Sequence, residues 1–167
     1  MVEFGVIAML FFLLLFGIFD FGMLLNDWIS VTSGASVGAR WAAVGACFEP
    51  TCAGGEKSVI EAVMTSAPIL AVSPQAADIA VIDSQVHAAY CRHAVWVAGV
   101  LTVTPISVGW APDGVACSGG TPLPDFNDTL TVVVRANVEL PVDLPGIPAA
   151  QVVQSSATVR YEGDFVQ

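Results

Sequence analysis

Residues 2–25, VEFGVIAMLFFLLLFGIFDFGMLL, leave few options for the chain that carries them. Between Phe4 and Leu25 the only charge is Asp20. A helix over that run is about 33 Å long at 1.5 Å per residue, enough to cross a bilayer core of about 30 Å. Two carboxylates sit awkwardly in it, Glu3 at its head and Asp20 near its end. A charge in hydrocarbon costs several kcal/mol, so an intramembrane carboxylate is a functional signal by default. Glu3 suits the positive end of the helix dipole and can stay near headgroups. In a dry bundle of such helices it would need a partner. A free N-terminal ammonium on the same or an adjacent subunit would neutralise it and fix an axial register. Asp20 falls toward the outer leaflet, where it can reach the interface, pair with a neighbour's backbone donor, remain protonated, or simply mark the boundary.

The run opens with an acid and no base and continues into polar helix, so it reads as a retained anchor, not a cleaved signal. No Lys or Arg precedes Arg40, so loop charge does not set orientation. The four cysteines do, because a small tethered domain with that many favours disulfides in an oxidising compartment. They allow three pairings. A short loop between Cys47 and Cys52 leaves Cys91 with Cys117. The 167 residues carry 15 acidic and 5 basic side chains, a net charge of −10. That balance argues against nucleic acid and against docking on an anionic lipid surface by charge.

All ten prolines lie at or after Pro50, so one helix can run unkinked to about Ala46. Its second half, WISVTSGASVGARWAAVGA, repeats small residues every four positions at Ser30, Gly34, Gly38 and Ala42. Such a stripe lets another backbone lie close, and it predicts packing of Gly34, Gly38 and Ala42 against the sheet of the same domain. EKSVIEAVMTSA has helical spacing at Val59, Ile60, Val63 and Met64, with Pro68 as a stop. Strands are expected in DIAVIDSQV, in AVWVAGVLTVTPISVGW with Pro105 at an edge or bulge, in TLTVVVRANVELP and in VVQSSATVRYEG. Consecutive strands with short turns predict an antiparallel meander. The fold class is therefore α+β, with a long N-terminal helix (residues 1–46, of which 2–25 are apolar) laid on a globular domain (47–167).

VEFGVIAMLFFLLLFGIFDFGMLLNDW and SGASVGARWAAVGA, with the later VTPISVGW and SSATVRYEG, resemble the TadE-like family of pilins and pseudopilins. The resemblance covers the long helix and the last strands, and the helix blocks are its more specific part. It implies a type IV pilin-like fold in the tight-adherence branch of that superfamily. It also implies a leader removed by a prepilin peptidase, and extrusion of subunits by an ATPase-driven membrane platform. Glu3 matches in type the acidic residue near the start of the family's mature helix, although its count differs. Under this reading the chain is a homo-oligomeric filament subunit, held first in the cytoplasmic membrane and then in an extracellular pilus. Phe4, Ile7, Leu10, Phe11, Leu14 and Ile18 recur at helical spacing and form a candidate assembly face with Glu3 and Asp20. Plain lipid exposure fits those residues equally. A minor pseudopilin that primes another filament is the alternative, and a monomeric single-pass protein with an outer binding domain is the second.

Other constellations carry less. Asn127-x-Thr129 is a glycosylation acceptor pattern, and Asp125 completes an acidic form that resembles bacterial oligosaccharyltransferase targets. His87, Cys91 and His93 cluster in sequence but lack a fourth metal ligand, so no metal is expected. Glu56 with Glu61, and Asp78 with Asp83, read as solvated charges, not acid/base pairs. Neither a nucleophile elbow, a zinc-protease helix nor a phosphate loop occurs, so no enzyme activity and no cofactor are expected.

Overall fold

The computed structural model describes residues 2–48, 58–71, 76–85, 88–106, 115, 117–118, 128–139 and 150–162. Helix α1 runs unbroken over Val2–Ala43. It stops short of the expected Ala46 because Gly45 adopts a left-handed φ of 78°. The Gly45 and Ala46 amides then donate to the carbonyls of Ala42 (3.2 Å) and Trp41 (3.1 Å), which satisfies the last turn in a Schellman arrangement. Helix α2 spans Val59–Ser66. Ser58 caps it, its hydroxyl accepting from the Glu61 amide at 3.0 Å. Val59, Ile60, Val63 and Met64 are all fully buried, as their spacing predicts.

The strands are β1 (Ala76–Asp83), β2 (Ala88–Val97), β3 (Val100–Pro105), β4 (Cys117–Ser118), β5 (Thr129–Glu139) and β6 (Ala150–Arg160). Five of them form an antiparallel sheet in the order β3-β2-β1-β5-β6, and β4 pairs β2 in parallel. The expected single meander is corrected here. β1, β2 and β3 do run up and down in sequence, but β5 then returns to the free edge of β1. β1 explains the crossover. Its last five residues are buried on both faces, so it belongs in the centre and needs a partner on each side. Pro105 ends the edge strand β3, where its missing N–H costs no ladder bond. Ala98 (φ 49°) and Gly99 (φ 80°) make the two-residue turn between β2 and β3.

The helices cover one face of the sheet. Val31, Ala35, Ala39 and Ala42 of α1 and the four α2 residues share a core with Ile79, Val81, Tyr90, Leu130, Val132, Val134 and Val153. Arg92 is buried on β2 beside this core, with its guanidinium 3.9 Å from the centroid of the Tyr90 ring and Nη1 donating to the Cys91 carbonyl. On the other face a smaller cluster of Ala80, Ile82, Ala89, Cys91 and Val133 meets Ile106, Val115 and Cys117. The Cys91–Cys117 disulfide, the pairing expected for these two, closes that cluster over 26 residues of sequence. Cys47 is also disulfide-bonded. Cys52 lies outside the described residues.

Tertiary hydrogen bonds bind the helix to the domain. Ser30 Oγ accepts from the Ile69 amide at 3.0 Å. The Glu162 amide donates to the Ala43 carbonyl at 2.9 Å, clamping the end of the last strand to the end of α1. The small-residue stripe faces α2 more than the sheet. A Cβ on Gly34 would lie 3.1 Å from the Ala67 Cβ, whereas one on Gly38 would run into Val63 Cγ2 and lie 3.3 Å from Val132 of β5. Val63 is β-branched and held to one rotamer in a helix, so it has little room to yield. Gly38→Leu is expected to lower stability by about 1–3 kcal/mol through overpacking, read as a shift of the denaturant midpoint. Removing the disulfide with Cys91→Ala and Cys117→Ala should cost about 3.5 kcal/mol by loop-closure entropy, measured in the same titration.

Candidate functional site

The helix α1 changes character at one residue. From Phe4 to Phe19 every large apolar side chain is exposed, with Phe4 at 78% and Ile18 at 66%. Asp20 is then 5% exposed. Beyond it, Leu24 packs against the core, Asp27 is half-buried and Val31 is fully buried. These four recur at helical spacing, so they lie on the face of α1 that meets the domain. The free segment is therefore shorter than the apolar run. Val2–Phe19 measures about 27 Å at 1.5 Å per residue, close to one hydrocarbon core.

By length and composition α1 can cross a membrane. Its free part is apolar around the whole circumference, a pattern that needs lipid or other helices on every side. Phe4, Ile7, Leu10, Phe11, Leu14 and Ile18 are all exposed, but so are Val6, Met9, Phe12 and Leu13 between them. No single assembly face stands out. Above Asp20, Leu25, Trp28 and Ile29 keep the side of the helix away from the sheet apolar and exposed. The side chain of Glu3 lies outside what the structure describes, as do Asn127 and His87.

Asp20 is the exceptional group. Both carboxylate oxygens are buried and neither has a hydrogen-bond partner among the described residues. Asp27, two turns further on, has its pKa raised by partial burial, which disfavours its charged form. The sequence marks Asp20 as odd but not as buried. Burial at that position is a tertiary property, set by packing that nothing local in the sequence specifies.

The other candidates do not converge. Gly34, Gly38 and Ala42 are buried between α1 and its own domain. Cys91 is tied to Cys117, while His93 Nδ1 lies 2.7 Å from Asp78 Oδ1 on the open face of the sheet. Asp83 is buried at the other end of β1, its Oδ1 accepting from the Gln85 amide. Among the described residues no group of three potential ligands could hold a metal ion.

Residues 1–40 match the TadE-like protein family. The matched segment is the free part of α1 together with most of its buried part, which places the Asp20 boundary inside the TadE-like region. The sheet lies outside the match. No curated protein and no solved structure matches the chain. The TadE-like match associates the chain with Tad pili, and the apolar α1 supports membrane anchoring.

An unpartnered buried carboxylate costs about 1–3 kcal/mol or more relative to an apolar group of similar shape. Asp20→Leu is therefore expected to raise the thermal unfolding midpoint of the full chain in detergent. A lowered midpoint would reveal a stabilising partner for the carboxylate.

Proposed function

We propose that this chain is a structural subunit of a Tad-type pilus. The free segment of α1 first sits in the cytoplasmic membrane and then packs among equivalent helices in the filament. The supporting observation is the division of α1 at Asp20: an all-round apolar rod of membrane-spanning length below, and a helix committed to its own domain above. The TadE-like match over residues 1–40 supports the same reading.

Exchange of lipid for helix contacts is nearly neutral in hydrophobic energy, because lipid tails are as apolar as Leu or Phe side chains. Extraction is then driven by assembly machinery and by packing between helices. The domain coats the shaft, and its disulfides hold it together outside the cell. Glu3, once in a dry core, pairs with an N-terminal ammonium and sets the stagger between subunits. A prepilin peptidase and a membrane platform are the partners this reading requires, and it assigns the chain no catalytic role. The size of the domain supports a second reading, a minor pseudopilin that primes a filament made mainly of another subunit.

Electron microscopy of sheared surface filaments, with peptide identification, tests the proposal. Filaments composed largely of this chain support the subunit reading, and trace amounts support the minor one. Absence from every filament, with all of the protein in the membrane fraction, rejects both. Glu3→Ala and Glu3→Lys should both reduce filament yield while leaving membrane insertion intact.

A further inference from the structure

Strand register fixes which end of the sheet points toward the membrane. The amide of Glu162, just beyond β6, is clamped to Ala43, at the end of α1 farthest from the apolar segment. β6 has 11 residues and extends away from that clamp by about 35 Å at 3.2–3.4 Å per residue. The same distance along a helix is about 23 residues, which brings the base of the sheet level with the region of Asp20. Burial of Asp20 and packing of Leu24 on the core agree with that level.

The hairpin between β2 and β3 lies at this same base. Ala77 pairs with Ala136, and Ala136 with Val153, near the beginning of β6. β2 runs down from Ala88, opposite Asp83, to Val95, opposite Ala76, and continues to Val97. The turn at Ala98 and Gly99 is therefore at the membrane-side end of the sheet. Its composition is unusual for a hairpin turn. Two-residue turns of this kind favour Asn or Asp with Gly, whereas this one is Val-Ala-Gly-Val, with Ala98 forced to φ 49°. Val97 is 53% and Val100 66% exposed. Outside α1, the described residues include four exposed large apolar side chains: Val44, Val97, Val100 and Val152. Three of the four are at the base, since Val152 is paired with Asn137 near the start of β6. Trp96 lies half-buried directly behind the tip, and Trp28 is exposed on the helix about 12 Å above Asp20, as in the aromatic belts that flank membrane spans.

We infer that the β2–β3 hairpin tip, through Val97 and Val100, is a second membrane contact that dips into the outer leaflet while α1 spans the bilayer. The occupant is lipid, recognised by apolar contact and not by charge. A net charge of −10 gives no attraction to anionic headgroups, and the tip itself is uncharged. Such a contact holds the sheet upright beside the helix before assembly and must be released when the subunit leaves the membrane. The inference rests on anchoring by α1 and not on the filament.

Site-directed spin labelling of the full chain in vesicles of phosphatidylethanolamine and phosphatidylglycerol tests it. With no free cysteine among the described residues, Val100→Cys, Thr104→Cys and Leu10→Cys can each carry one label. Val100 and Thr104 are both exposed on β3, so neither label disturbs the core. The label at Val100 is expected to be several-fold less accessible to an aqueous nickel complex than that at Thr104, at every protein-to-lipid ratio. Equal accessibility overturns the inference if the label at Leu10 reports hydrocarbon. A label at Leu10 in water overturns the anchoring reading itself. Shielding of Val100 that grows with protein density assigns the tip to a second copy and also overturns the lipid contact.

Discussion

The missing side chain at Gly38 is the constraint on which the arrangement depends. Only a glycine lets α1 approach both Val63 of α2 and Val132 of β5 at that point. With that approach the small-residue stripe of α1 shares one core with α2 and the covered face of the sheet. Glycine costs up to about 1 kcal/mol in a helix interior, so its presence twice at four-residue spacing shows that contact outweighs helix propensity here. Ser30 and the Glu162 clamp then fix the two ends of the contact. The apolar half of α1 is left with no intramolecular partner among the described residues, and its function follows from that isolation.

Much of this was legible in the sequence, because the signals were local. Proline absence before Pro50 marked one long helix, and the four-residue stripe marked its buried half. The spacing of Val59, Ile60, Val63 and Met64 gave α2, although the cap formed by Ser58 and Glu61 marks its start more sharply. Alternation and β-branching located the strands. Their order was not legible, since β1 pairs with β5 across more than forty residues and nothing local specifies that pairing. The β2–β3 turn was missed for a different reason. Ala98 occupies a position where Asn or Asp would have announced the turn, and Ala carries no such mark.

The site was legible in type more than in extent. Asp20 stood out as a carboxylate in an apolar run, and Phe4 to Ile18 as a surface for lipid or helices. The end of the free segment could not be placed at Asp20 from periodicity, because residues 21–25 are as apolar as those before. The burial of Asp20 draws that line. Likewise Arg92 gave no sign of being buried over Tyr90, since a basic residue in a strand reads as solvated until the face that the helices cover is known.

The unbroken passage of α1 from its free half into its buried half has a mechanical consequence. No proline or loop interrupts it, so a load applied at the tip of the rod is delivered directly into the domain. α1 and β6 run in the same sense and are joined at their far ends, so that load slides the helix along the sheet instead of peeling it away. Sliding has to disturb the packing along the whole contact together, which makes this geometry far more resistant to tension than a hinged tether would be.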